Sequence, residues 1–114
     1  MIDLKQLIQI APYDEQTRQE LLSKADSLSD QQRNDLENLS WEIIREDFEN
    51  NVTFETQKAL AEIKDGTKNP KEVDLEKIED DIFNQLVSKI QAVDNQAEIA
   101  EVRQKIQEQT AKSS

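Results

Sequence analysis

Apolar residues recur at helical spacing through almost the whole chain, and the longest unbroken run of that pattern lies between Ser29 and Asp65. Trp41, Ile44, Phe48, Val52, Ala59 and Ile63 follow i, i+3 and i+4 steps, which places them on one face of a helix. Leu36, Leu39 and Ile43 form a second stripe, roughly 150° away around the same axis. Ser29 with Gln32 is a capping box, Gly66 supplies a left-handed stop, and neither Gly nor Pro interrupts the interval. One continuous helix of roughly 55 Å is therefore predicted. Its first third is apolar on two sides and the remainder on one, so it needs two groups of partners: an N-terminal helical hairpin on the Leu36 face and a C-terminal helix on the Trp41 face.

The flanking segments supply them. Asp3 caps a short helix carrying Leu4, Leu7 and Ile8, which Ala11-Pro12 ends. Asp14 caps a second helix with Leu21, Leu22, Ala25 and Leu28 on one side. The stretch Asp14 to Leu21 repeats at Ser29 to Leu36 in the order cap, acid, Gln, Arg, Leu, and two capped helices so close together imply a hairpin between the second helix and the long one. After the break at Asp65 to Pro70, Asn69, Pro70 and Glu72 give a cap, an N1 proline and an N3 acid. The helix they open carries Leu75, Ile78, Ile82, Leu86, Ile90 and Val93 on a stripe as long as the one from Trp41 to Ile63, so the two pack antiparallel, with Phe83 and Val87 flanking the seam and open to a third helix. Beyond Val93 the phase changes. Asp94 is the candidate cap of a terminal helix whose Ile99, Val102 and Ile106 either fold back on the bundle or project from it. Few apolar residues follow, and fraying is expected from Gln109 to Ser114.

The prediction is an all-α protein, a small elongated helical bundle forming one domain over residues 1–108. It comprises N-terminal helices within 1–28, a central helix over 29–65, an antiparallel helix over 69–93 and a terminal helix over 95–108. Composition agrees: one Gly, two Pro and little β-branched alternation leave no place for hairpins. Leu, Ile, Val and Phe make up about 25% of the chain, above the ~20% typical of disorder but enough only for a thin core.

The absence of Cys and His restricts the chemistry. Disulfides, thiolate metal sites, imidazole acid–base catalysis and Ser-His or Cys-His triads are excluded. Glu42, Glu46 and Glu49, or Glu76, Glu79 and Asp80, have helical spacing, but a di-metal bundle site also uses Glu-x-x-His. Asp65 and Glu76 have the spacing of a calcium-binding loop, yet Pro70 stands where its turn requires Gly. Gly66, the single glycine, makes no phosphate loop. The expectation is a protein without catalytic residues, metal or cofactor. With no basic-apolar leader and no run of 18 apolar residues, it is expected in the cytoplasm.

The net charge of −11 sharpens the choice of partner. More than half falls within 29–65, where four basic residues face ten acidic ones, a field that disfavours direct binding to nucleic acid or membrane. The expected function is a non-enzymatic helical protein–protein interaction module or small assembly component. It would present apolar stripes within an acidic surface to a protein partner or to a second copy of itself. Ile99, Val102 and Ile106 are the candidate partner-binding residues. Trp41, the single Trp, would either anchor a partner or fill the junction between the two substructures with its indole N–H on a rim acceptor; the second suits its two-sided surroundings better. The alternative is an acidic nucleic-acid mimic, in which Glu42, Glu46, Asp47, Glu49 and Glu55 imitate phosphates and enter the basic groove of a DNA- or RNA-handling protein.

Overall fold

The computed structural model describes residues 2–94 and 97–113, and among these it is helical with no strand. The helices are α1 (Leu4–Ile10), α2 (Glu15–Lys24), α3 (Asp30–Lys64), α4 (Leu75–Val93) and α5 (Ile99–Ser113). The 35 residues of α3 extend about 52 Å at ~1.5 Å each, close to the molecule's longest dimension of 56 Å. The other helices are shorter, and α1, α4 and α5 all pack against α3.

Local chemistry sets both ends of α3. Ser29 Oγ accepts the Gln32 N–H at 3.2 Å, and the Gln32 side chain accepts the Ser29 N–H at 3.0 Å, so two otherwise orphaned donors satisfy each other's residues. At the far end Gly66 adopts φ +85°. Its N–H reaches the Ile63 carbonyl and the Thr67 N–H reaches that of Glu62, the paired reverse bonds of a Schellman stop.

The N-terminal helices α1 and α2 pack on each other as the predicted hairpin, but it is α1 rather than α2 that rests on α3. Four of the seven residues of α1 (Leu4, Leu7, Ile8 and Ile10) are buried, so this helix is apolar nearly all round and belongs in the middle of the fold. It packs against α2, α3 and α4, and α2, which has no fully buried residue, lies on α1. Leu21 and Leu36, equivalent positions of the repeat, both lean on the small cluster of Leu4, Ile8 and Ala25. The repeat thus records two capped helix starts that each place a first Leu on α1. Leu36 is covered as predicted, whereas Leu39 of the same stripe is 46% exposed.

The C-terminal half keeps the predicted reversal with altered boundaries. Asn69 and Pro70 open only a short 3-10 turn, Pro70–Glu72, because Val73 is extended; α4 begins after Asp74, whose carboxylate accepts the Lys77 N–H. The buried face of α4 is Ile82, Phe83, Val87 and Ile90, rotated from the predicted stripe toward the side α5 covers, which leaves Leu75 exposed. Asp94 ends α4 and does not cap α5: its N–H bonds the Ile90 carbonyl, and the Val102 N–H reaches Glu98, which opens the last helix. α5 folds back on the bundle and continues past residue 108, with Gln109 buried and Thr110 Oγ1 donating to the Ile106 carbonyl, so the expected fraying is not seen over Gln109–Ala111. The expected fraying of Ser114 lies outside the described residues.

A single main core results, uniting Leu7, Ile10, Trp41, Ile44, Phe83, Val87, Ile90, Val102 and Ile106. Trp41 is 4% exposed at the junction of α1 with the C-terminal helices, as the packing reading expects, but its indole N–H has no protein hydrogen-bond partner among the described residues. Tyr13 and the fully buried Ser40 tie the segment after α1 to α3 through a 2.9 Å hydroxyl–hydroxyl bond.

Candidate partner-binding groove

Three helix faces converge on one open groove. α3 contributes Phe48, Glu49, Val52 and Thr53, α4 contributes Glu79 and Phe83, and α5 contributes Arg103, Ile106, Gln107 and Thr110. Each set has the i, i+3 or i+4 spacing that puts residues on one side of a helix. The groove has a volume of about 460 Å³, within the range of small-molecule and anchor-residue sites.

Its floor is aromatic and aliphatic. The rings of Phe48 and Phe83 meet edge to face, with centroids 6.1 Å apart and planes at 83°. Val52 and Ile106 extend the apolar surface. The Arg103 guanidinium lies 4.3 Å from the Phe83 centroid, a cation–π contact. Phe83 lines the open groove yet is only 5% exposed, packed in the main core on one side and beneath Arg103 on the other.

The rim is ionic. Glu49 accepts a 2.8 Å bond from Arg45 Nη1, and Glu46 stands 3.7 Å from the same guanidinium. Arg45 is itself buried, and its Nε is the one fully buried side-chain nitrogen or oxygen without a hydrogen-bond partner among the described residues. Glu79 has no cationic partner among the described residues, and Arg103 makes no ion pair there either. No group of three or more Asp or Glu among the described residues could hold a metal ion.

The residues singled out from the sequence fall in several places. Val102 is fully buried and Ile106 nearly so, both within the chain's own core, while Ile99 is 51% exposed on the first turn of α5. The stripe that could have paired with another chain is thus largely spent on α3, and only the edge of Ile106 reaches the groove. The five acids of the mimic reading do not share a face. Glu42, Glu46 and Glu49 lie within about 60° of one another, with Arg45 against two of them. Asp47 and Glu55 point toward α4, where they line two neighbouring clefts that share Asn51, Ile82 and Gln85. Phe54, 63% exposed, and Leu60, 52%, stand singly on the outer half of α3.

Arg103 was not singled out by the sequence pattern, and Glu79 was weighed there only as a metal-site carboxylate with Glu76 and Asp80. The available signal was the combination of Phe83, recognised as flanking the seam, with the acid one turn before it and the cation one step from the buried Val102. No helix among the described residues is long and apolar enough to cross a membrane. No protein-family model, curated protein or solved structure matches the chain.

Proposed function

We propose that the protein is a non-enzymatic helical interaction module that seats an amphipathic segment of a protein partner in the groove between α3, α4 and α5. The observation that carries this reading is the Phe48–Phe83 pair: two aromatic rings in edge-to-face contact at the base of an open groove, where one bulky apolar side chain can be buried. The acidic surface around it favours basic over acidic partners. Self-association has less support, because two copies each carrying −11 repel. The nucleic-acid-mimic reading is weakened by Arg45, which neutralises part of the acidic sector, and by the divergence of Asp47 and Glu55.

Affinity capture from a lysate at low and high salt, with wild type and Phe48→Ala in parallel, tests the proposal. Partners that persist at high salt and are lost with Phe48→Ala support apolar anchoring in the groove. Recovery only of nucleic-acid-binding proteins, all released by salt and indifferent to Phe48, would favour the mimic and reject the module.

A further inference from the structure

Within the groove reading, on which this inference rests, we infer that Arg103 is a built-in occupant of the site and that the partner's own cation displaces it from Phe83. The Arg103 guanidinium shares the groove lining with Glu49 and Glu79, yet it forms no ion pair among the described residues and lies over an aromatic face. An Arg side chain that covers a ring with its stem and planar head shields apolar surface from water while remaining solvated, which makes it a reversible cover. Phe83, nearly buried with Arg103 above it, would become the exposed floor of the groove if that side chain swung away.

The chemistry of the replacement follows from the same residues. The ring face already accepts a guanidinium, Glu79 stands on the rim without a cationic partner, and the chain's field is strongly negative. The occupant that fits is a basic amphipathic helix or strand with a Lys or Arg next to a bulky apolar side chain. Its cation takes the place over Phe83 or pairs with Glu79, and its apolar neighbour packs on Phe48 and Val52. Arg103 itself reaches solvent from an exposed position on α5, so its release requires no unfolding of the helix. The device also gives selectivity: a segment with no cation has to uncover Phe83 without replacing what was over it.

The test uses the full chain and a labelled helical peptide of Leu and Lys, with a Leu-Glu peptide of the same pattern as control. Binding is measured for wild type and Arg103→Gln, and the Arg103 δ-proton resonances, which the Phe83 ring should shift upfield, are followed during the wild-type titration. The expected result is binding of the Leu-Lys peptide alone. Arg103→Gln should bind about two- to fivefold more tightly, the factor corresponding to release of one exposed cation–π contact. The Arg103 δ-protons should move downfield as the site saturates. Equal affinities with unmoved Arg103 signals overturn displacement while leaving a peptide-binding module in place. Weaker binding by Arg103→Gln also overturns it, making Arg103 a partner contact. Failure of both proteins to bind either peptide removes the inference together with the basic-segment form of the groove reading.

Discussion

Arg18 Nε donates to the carbonyl oxygen of Ile8 at 3.3 Å, so a side chain of α2 closes the C-terminal end of α1. The same guanidinium donates through Nη2 to the carbonyls of Ala11 and Tyr13, both at 3.0 Å, and through Nη1 to Glu15. Positive charge at a helix C-terminus and acceptors that would otherwise lack partners both favour this arrangement. Arg18→Ala should destabilise the fold by about 1.5–3 kcal/mol in urea unfolding, and Arg18→Lys should recover little because one ammonium cannot reach three carbonyls. Near-native stability of Arg18→Ala would mean that water replaces the guanidinium without cost.

Tyr13 and Ser40 provide a second fixing point for α1 on α3. Ser40 is fully buried, so Tyr13→Phe leaves its hydroxyl without the 2.9 Å partner and should cost about 1–2 kcal/mol. In the double variant Tyr13→Phe/Ser40→Ala, both polar groups go, and the loss should fall short of the sum by about 1 kcal/mol. Strict additivity in a double-mutant cycle would show that the bond contributes nothing to the docking of α1.

These two contacts mark the boundary of what the sequence made legible. Helix order, the long α3 with its capping box and Gly66 stop, and the antiparallel return of α4 follow from local rules that act within a few residues. The central position of α1 depended on tertiary competition: its buried residues Leu4, Leu7, Ile8 and Ile10 leave it almost no solvent face, yet seven residues are too short for periodicity to reveal this. The Asn69 cap was a correct local reading with the wrong consequence, since the extended Val73 let Asp74 start α4. The groove was least legible, because it arises only where faces of three helices meet and Arg103 covers its most informative ring.

Acid should weaken the start of α2. The Asp14 carboxylate is held below the ordinary aspartate value of 3.8 chiefly by the Thr17 backbone N–H, with the Thr17 side chain helping; that of Glu15 is held below 4.5 chiefly by the Gln19 amide and then Arg18. A carboxyl with a depressed folded-state pKa stabilises the fold above its unfolded pKa, and that contribution disappears as pH falls through the folded value. Asp14→Asn keeps a capping side chain but not the charge. The stability advantage of wild type over this variant should be widest near neutrality and close as pH drops well below 3.8. A gap that does not change with pH would assign the cap no ionic component.

Arg45 is retained at a cost to packing. Its Nε is fully buried without an acceptor, and its ionic partners Glu49 and Glu46 are half exposed, so their attraction is screened. Arg45→Met should be neutral or stabilising by up to about 2 kcal/mol, whereas Glu49→Gln should destabilise by about 1 kcal/mol because the buried cation remains. A marked loss of stability in Arg45→Met would identify the guanidinium as a net structural asset.

Docking on Phe48 and Phe83 between α3, α4 and α5, as proposed, makes a residue-level prediction. The most direct measurement is backbone amide chemical-shift mapping of the full chain during titration with the Leu-Lys peptide. The largest changes should cluster at residues 48–53, 79–83 and 103–110, the three segments that line the groove. Changes centred on Glu42 and Glu46, or on the exposed Leu39 and Ile99, with the groove residues unmoved, would contradict it.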